Sequence, residues 1–327
     1  MNRQAFRQQV HGSCIPLVTP FLPDLSLDVK ALRRVVRRIL DAGFETGKGS
    51  LLACGAGGEF YALSTDEKKK VAETVVEEAN GQIGVLVGAQ DTNVLEVLDM
   101  ARFCERLGAT GIQVSPTYYD MPSWDDIFDM FKMISDAVDI PLMVYNSFWT
   151  GPGASVEGDQ IGKLVESTNI AGLKWAAPQR YMYDHVLQEY GDKIAIIDNV
   201  CNEVVSYTMG AVGWIDSLPM LWPEYGLKLL RYLQQKQYGD ALEMTSRLRV
   251  PYRTLVHKAY NMSCCESGLP KFILNALGEP VGPPRPPGRL LPKDIYEQAW
   301  QYLDDNGFPG LRERSEALEY STPCVTV

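Results

Sequence analysis

The chain is poor in the residues that hold metals or form disulfide frameworks. Its 327 residues include three histidines and seven cysteines, an odd number, and no two cysteines stand in a CxxC spacing. Zinc sites usually show closely spaced cysteine and histidine ligands, and secreted proteins usually pair their cysteines. We therefore predict no metal site and no disulfide framework, and a reducing, cytoplasmic location.

The chain also lacks an excess of positive charge and any long apolar run. It has 31 Lys and Arg against 41 Asp and Glu, a net charge of −10 at pH 7. Nucleic acids and anionic membranes bind basic surfaces, so neither is predicted as a partner. No apolar stretch approaches the roughly 18 residues of a membrane helix, and the polar segment 1–12 contains no signal-peptide core.

Short apolar runs alternate with amphipathic segments from residue 12 to about residue 217, which is the pattern of repeated βα units. Eight runs are predicted as strands: 14–19, 51–54, 84–88, 111–115, 141–146, 170–175, 193–197 and 211–215. Helical spacing of apolar residues predicts helices over 27–42, 66–79, 92–107, 123–137 and 156–166, and further helices over 225–235, 238–259, 271–276 and 293–304. Ser64, followed by acidic residues, resembles a helix start.

Eight βα units that close on themselves form a TIM barrel. We therefore predict an α/β fold, a (β/α)8 barrel with a C-terminal helical appendage. An open doubly wound sheet usually carries a Gly-rich nucleotide fingerprint after its first strand, and segment 18–23 (VTPFLP) has none. We expect three regions: the barrel over 1–223, a helical region packed on it over 224–305, and a tail over 306–327.

One lysine interrupts an apolar run. Segment 169–178 (NIAGLKWAAP) has the character of a buried strand, and Lys174 stands in its middle. Desolvation would lower the pKa of this ammonium from about 10.4 and make the amine a nucleophile able to form a Schiff base with a ketone. A lysine that snorkels from a strand end or pairs with a carboxylate explains the run equally well.

Other candidate residues stand where predicted strands end, and in a barrel these ends carry the active site. The second strand runs into segment 55–59 (GAGGE), whose backbone N–H groups suit a carboxylate or a phosphate, although a plain tight turn explains it as well. Tyr145 ends the fifth strand, at a depth comparable with Lys174. Its hydroxyl suits a proton shuttle for imine chemistry, and a core tyrosine bonded to a backbone carbonyl is the alternative.

The order and spacing of several segments resemble the dihydrodipicolinate synthase / N-acetylneuraminate lyase family, the class I pyruvate-dependent aldolases and their relatives. The resemblance covers residues 12 to about 290. It rests on an ordered set of segments: 12–21 (GSCIPLVTPF), 55–59 (GAGGE) with 63–67 (LSTDE), 118–123 (YYDMPS), 144–146 (VYN), 172–174 (GLK) and 213–217 (GWIDS).

This resemblance implies a lyase without cofactor or metal that works through a lysine imine on a small pyruvate-type 2-keto acid. Lys174 would be the Schiff-base lysine, Tyr145 the tyrosine that relays protons, and Tyr119 a catalytic tyrosine that reaches into the neighbouring subunit's site. Ile215 would contact the bound keto acid through its backbone. The substrate-binding loop would consist of Gly55, Ala56, Gly57 and Gly58, with the amides of the last two on the substrate carboxylate. The family also implies a homo-oligomer, a dimer or a tetramer.

The chain departs from the family at two places that bear on the substrate. The family usually has two hydroxyl residues where this chain has Ala56 and Gly57, so the usual proton relay is absent, and Ser115 or Thr117 is a candidate replacement. Dihydrodipicolinate synthases also use an arginine to bind the second substrate's carboxylate, and Trp149 stands near its place. Loss of this bidentate clamp argues against aspartate semialdehyde as the partner, and so against lysine biosynthesis.

Aromatic residues stand where the clamp is missing. Phe148, Trp149, Trp175 and Trp214 all lie at or near predicted strand ends. Rim packing explains each of them alone, but together they indicate an apolar or aromatic substrate arm.

We therefore predict aldol cleavage or condensation with a non-dicarboxylate partner, similar to the hydratase-aldolases that cleave arylidene-pyruvates. Two alternatives stay open. One is a dehydratase or deaminase of a small 2-keto acid, such as a keto-deoxy sugar acid or a cyclic imine. The other is a non-catalytic barrel that binds a keto acid or a protein.

Overall fold

Eight parallel strands form the centre of the fold. The computed structural model describes residues 2–119, 121–150, 155–262 and 265–311. The strands are β1 Gly12–Pro16, β2 Gly49–Ala53, β3 Gly84–Gly88, β4 Gly111–Val114, β5 Leu142–Tyr145, β6 Ile170–Trp175, β7 Ala195–Asp198 and β8 Gly213–Ile215. They follow one another in sequence order and close into a barrel. The predicted (β/α)8 barrel is confirmed.

Helices alternate with the strands and continue after the last one. They are α1 Arg3–Gln9, α2 Val29–Asp41, α3 Thr65–Ala79, α4 Val94–Leu107, α5 Trp124–Ala137, α6 Gly158–Ser167, α7 Arg180–Tyr190, α8 Glu203–Thr208, α9 Leu218–Leu221, α10 Pro223–Gln234, α11 Tyr238–Met244, α12 Val250–Asn261, α13 Gly268–Ala276 and α14 Lys293–Asn306. Within the described ranges no helix combines the length and hydropathy needed to cross a membrane.

The predicted strands all have a counterpart, and β3 and β6 have the predicted bounds. The other six are displaced at one or both ends, because an apolar run does not mark the last residue that joins the hydrogen-bonded ladder. Four helices, α1, α7, α8 and α9, were not predicted. Three of these are short, and short helices present too few turns for apolar spacing to be recognised.

The predicted start of α3 is confirmed by its capping hydrogen bonds. The Ser64 hydroxyl accepts from the Glu67 amide at 3.2 Å, and the Glu67 carboxylate accepts from the Ser64 amide at 2.9 Å. This reciprocal pair is the capping box that satisfies donors at a helix N-terminus.

A single aromatic ring from α1 packs inside the barrel. Phe6 is fully buried and joins the core cluster of the barrel interior with Leu86 and Met143. A Cβ added at Gly111 on β4 would lie 2.8 Å from this ring, and one added at Gly172 on β6 would also lie 2.8 Å from it. Both positions therefore need glycine, and both strands turn this face towards the barrel interior.

The long helix predicted over 238–259 is interrupted. Residues Thr245–Arg249 form a π-helical segment between α11 and α12. Pro251 follows in the first turn of α12. Because proline has no N–H group, it cannot donate to the carbonyl four residues earlier, and a wider turn accommodates the missing bond.

The described residues cluster into two compact units. The first, the barrel unit, consists of Met1–Ile15, Phe44–Leu52 and Ala79–Asp216 and contains almost all strand residues. The second, the helical unit, consists of Pro16–Gly43, Ala53–Glu78 and Ser217–Val327 and contains α2, α3 and the C-terminal helices. The predicted boundary at residue 223 stays a prediction, and residues 312–327 of the predicted tail lie outside the described residues.

Candidate active site

Lys174 and Tyr145 lie side by side on neighbouring strands of the barrel unit. Tyr145 pairs with Lys174 in the register of β5 and β6, and the Asn146 amide donates to the Lys174 carbonyl at 3.0 Å. Lys174 is 5% exposed and Tyr145 is 8% exposed. Lys174 shares a strand face with Gly172 and so points into the barrel, close to the carboxyl end of its strand, where barrels of this type carry their active sites.

The ammonium group of Lys174 lies against the face of the Tyr145 ring. The distance from Nζ to the ring centroid is 3.9 Å, which is a close cation–π contact. The contact orders both side chains, so that an amine and a phenol share one small volume of the barrel interior.

The charge of Lys174 affects the pKa of Cys14 on β1. Burial raises the pKa of the Cys14 thiol to about 11, although the Lys174 charge acts in the opposite direction. Near pH 7 Cys14 is therefore a neutral thiol, and thiols in this form are poor nucleophiles.

Two exposed aromatic residues, Phe148 and Trp149, follow Tyr145 in the chain. The rings of Phe148 and Trp149 meet edge to face with centroids 5.0 Å apart, and the Trp149 centroid lies 6.5 Å from that of Tyr145. Trp149 is 50% exposed. An aromatic surface thus continues from Tyr145 to solvent. Gly151, two residues after Trp149, lies outside the described residues.

Trp175 and Trp214 do not extend this surface, and the prediction that they form a substrate arm is wrong. Both are buried, with 1% and 0% exposure. Trp175 stacks on Tyr183 with centroids 6.3 Å apart, and its Nε1 donates to the Tyr183 carbonyl at 3.1 Å. Because side chains alternate along a strand, Trp175 points to the face opposite Lys174 and packs against α7.

The remaining candidates of the barrel unit differ in their surroundings. Ile215 on β8 pairs with Cys14 and packs against the barrel core. Tyr119 is 89% exposed. Tyr118 is half-buried, and burial together with the charge of Asp91 raises its pKa. Asp120, part of the same motif, lies outside the described residues.

The predicted substrate loop of the helical unit is a tight 3-10 turn over Ala56–Gly58. The Gly58 amide donates to the Gly55 carbonyl at 3.0 Å, so one of the two amides predicted to bind a carboxylate is used inside the turn. The buried Thr19 hydroxyl donates to the Gly58 carbonyl at 2.6 Å and anchors the loop. A Cβ added at Gly57 would find its nearest neighbour, Pro16 Cβ, at 3.9 Å, so this position has room for a side chain.

Another buried lysine, Lys271, has a structural role. Lys271 and Glu59 are both fully buried and form an ion pair at 2.6 Å, and the Lys271 ammonium also donates to the Pro283 carbonyl at 2.9 Å. The Ser267 hydroxyl and the Arg285 amide donate to the Glu59 carboxylate, each at 2.7 Å. Burial lowers the pKa of Lys271, while the Glu59 charge opposes this change. This network fixes Glu59, the residue that follows the turn Ala56–Gly58.

Sequence reasoning missed Gln113 on β4. It is 0% exposed, and neither atom of its side-chain amide has a hydrogen-bond partner among the described residues. The signal was present, because Gln113 interrupts the apolar run GIQV as Lys174 interrupts its own run. Lys271 had no such signal, because it lies on a helix rather than in an apolar strand.

A closed (β/α)8 barrel with a buried lysine and tyrosine near the carboxyl ends of adjacent strands contains the side chains that a class I, lysine-dependent lyase needs. The model of the Dihydrodipicolinate synthetase family matches residues 9–304, and the chain belongs to this family. Family members are lyases that work through a lysine Schiff base.

Individual relatives agree with this assignment. The 4-hydroxy-tetrahydrodipicolinate synthase of Pelobacter propionicus is 31% identical over 233 residues, which cover 70% of this chain and 78% of the relative. The dihydrodipicolinate synthase structure from Aquifex aeolicus matches with a TM-score of 0.84 at 23% identity, covering 93% of this chain and 100% of the other. A prophage protein of the same family from E. coli, in complex with pyruvate, matches with a TM-score of 0.82 at 21% identity, covering 91% and 99%. The two structural likenesses show the fold.

Proposed function

We propose that the protein is a Schiff-base lyase in which Lys174 forms an imine with the 2-keto group of a pyruvate-type acid. The reaction is aldol cleavage or condensation, and the partner is an aldehyde without a second carboxylate, of aromatic character. The observation that carries the proposal is the pairing of Lys174 with Tyr145, whose ring centroid lies 3.9 Å from Nζ. This contact supports the proposal, because an amine and a phenol on neighbouring strands can act on one carbonyl.

The imine supplies the chemistry of bond cleavage. The Lys174 amine adds to C2 of the keto acid, and Tyr145 gives its proton to the C2 oxygen. Loss of water then leaves a protonated imine beside the Tyr145 phenolate. The C3–C4 bond then breaks, its electron pair forms the enamine and neutralises the imine nitrogen, and the C4 hydroxyl proton passes to Tyr145. The partner leaves as an aldehyde. Tyr145 then protonates C3, and water adds to C2 and passes its proton to the Tyr145 phenolate. Pyruvate leaves, and both the Lys174 amine and the Tyr145 phenol are restored.

The choice of an aromatic partner is supported by Trp149. It lies beside Tyr145, edge to face, and half of its surface is exposed. An apolar aldehyde gains contact with this ring, whereas a dicarboxylate partner finds no arginine in the segment that follows β5.

Borohydride trapping with intact-mass spectrometry tests this function. After incubation with pyruvate, the wild-type chain should gain one reduced pyruvate adduct, and peptide mapping should place it on Lys174. Lys174→Ala should gain none. Lys271→Met is the matched control for a second buried lysine, provided that its circular dichroism matches that of the wild type.

An adduct that persists in Lys174→Ala would contradict the assignment of the nucleophile. No adduct with pyruvate or with longer 2-keto acids would contradict the lyase and favour a barrel that only binds its ligand. A positive result leads to a screen of aldehydes with pyruvate, in which we expect benzaldehyde-type compounds to be turned over faster than aspartate semialdehyde.

A further inference from the structure

The side-chain amide of Gln113 is buried in the barrel without a protein partner. Gln113 is 0% exposed, and both Oε1 and Nε2 are without a hydrogen bond to any described residue. Buried amides are nearly always satisfied, because an unmet amide loses the hydrogen bonds that it makes in water. The amide is therefore placed to bind a polar group from outside the chain.

Gln113 and Lys174 occupy the same layer of the barrel interior. Each stands two residues after a glycine that faces the Phe6 ring, Gly111 on β4 and Gly172 on β6. Side chains alternate along a strand, so Gln113 and Lys174 both point inward, in the layer that follows this ring. In this fold the inward side chains of alternate strands, such as β4 and β6, share a layer.

Strands β4 and β6 are far enough apart for a short keto acid to lie between the side chains of Gln113 and Lys174. Strands β4 and β6 are two strand spacings apart, roughly 9–10 Å along the barrel wall. Tyr145, on the strand between them, faces the same volume. A keto acid bound through C2 to Lys174 Nζ therefore extends its carbon chain in front of both Tyr145 and Gln113.

We propose that Gln113 hydrogen-bonds to the oxygen on C4 of the substrate, so that the site selects 2-keto acids with a 4-hydroxyl group. This inference rests on the proposed imine at Lys174. The amide offers Nε2–H as a donor and Oε1 as an acceptor, which matches a hydroxyl group. During cleavage the C4 hydroxyl loses its proton to Tyr145 and becomes the aldehyde oxygen, which still accepts from Nε2–H. Gln113 thus orients C4 in both states and exchanges no proton.

A pair of probes that differ only in the C4 hydroxyl tests the proposal. We would measure the concentration of 4-hydroxy-2-oxopentanoate and of 2-oxopentanoate that gives half-maximal borohydride modification of Lys174. Wild type should require about tenfold less of the hydroxylated acid, the equivalent of one hydrogen bond. Gln113→Met, which keeps the length and removes the amide, should show a ratio near one.

Two further variants separate binding from folding. Gln113→Asn keeps an amide in the barrel but withdraws it by one methylene, and it should lose most of the preference as well. Gln90→Met removes the other buried amide without a partner among the described residues, which follows β3, and it should keep the preference. Gln113→Met should melt at or above the wild-type temperature, whereas an amide with a structural role would make this variant less stable.

The possible failures are distinguishable. An unchanged ratio in Gln113→Met, or a ratio lost in Gln90→Met alone, would overturn the assignment of Gln113 while leaving the imine intact. A clearly lower melting temperature of Gln113→Met with an unchanged ratio in Gln113→Asn would overturn it too. No modification of wild type by pyruvate or either probe would overturn the proposed function and this inference with it.

Discussion

The phenol of Tyr145 has two separable properties in this site, its ring and its hydroxyl. The ring lies against Lys174 Nζ, and the hydroxyl is the group that we propose as proton carrier. Tyr145→Phe keeps the first and removes the second. We expect its kcat for aldol cleavage to fall by about a hundred- to ten-thousandfold, the usual effect of losing a general acid–base group. Steady-state kinetics beside pyruvate trapping would check this.

Borohydride should still trap pyruvate on Lys174 in Tyr145→Phe, although more slowly, because the ring still orders the lysine side chain. A variant with wild-type kcat would show that another group moves the proton. Ser115, buried at the end of β4 and named from the sequence as a replacement for the missing relay, would then be the next residue to change.

A substitution of the exposed Trp149 tests whether the partner aldehyde is aromatic. Trp149→Ala removes the aromatic surface next to Tyr145, so the KM for an aromatic aldehyde should rise about tenfold while the KM for pyruvate changes little. Tyr181→Ala is a suitable control, since this tyrosine is 70% exposed on α7 and belongs to no candidate site. Equal changes for both substrates in Trp149→Ala would argue against an aromatic partner.

At the scale of elements, β7, α7 and α8 are joined by one buried carboxylate. Asp198 at the end of β7 accepts from the Asn202 amide at 2.9 Å, from the Ser206 hydroxyl at 3.1 Å and from the Tyr183 hydroxyl. Burial raises the pKa of Asp198 from its ordinary 3.8 to about 6, and the charge of Glu203 acts in the same direction. The start of α8 therefore depends on an acid that burial makes harder to ionise than an exposed aspartate.

This shift predicts a pH dependence of stability. A carboxyl group whose pKa is raised on folding binds more protons in the folded state, so its contribution is fully present below pH 4 and is lost as the pH rises to about 6. We expect the free energy of unfolding of the wild type to fall across this window relative to Asp198→Asn, by up to about 1.4 kcal/mol per pH unit. Urea titrations of both proteins at several pH values would measure it. Parallel curves would contradict the shifted pKa.

At the scale of the whole molecule, we propose that a second copy of the chain completes the site. Tyr119 is 89% exposed in the single chain, and family resemblance assigns it to the neighbouring subunit's site. If so, Lys174→Ala and Tyr119→Ala are each inactive but complement each other when mixed. In a dimer with random exchange, one site in four is intact, so the mixture should recover about a quarter of wild-type activity.

Light scattering would establish the assembly of each variant before mixing. Recovery requires that a subunit with an intact Lys174 meets a subunit with an intact Tyr119. A mixture as inactive as its components, in the presence of proven subunit exchange, would place Tyr119 outside the catalytic machinery. Activity of Tyr119→Ala alone would lead to the same conclusion.

Much of the fold was predictable because local patterns and the fold agree. A buried parallel strand is apolar throughout, which marked β3 and β6 to the residue, and acidic residues after Ser64 marked the start of α3. The interruption by Thr245–Arg249 was not predicted, although Pro251 signalled it. Helices α7 and α8 were missed, since each buries only three residues and two of those in α8 are polar.

The sequence by itself determined the barrel, the lysine in the apolar run of β6 and the family, because apolar spacing and rare residues in apolar strands are local properties. Only the tertiary structure decided that Trp175 faces away from Lys174, and that Lys271 is held by Glu59 rather than left for chemistry. It also showed that Gln113 shares the layer of Lys174. These outcomes depend on which strand face meets which neighbour across long sequence separations, and barrel closure rather than any local pattern fixes those neighbours.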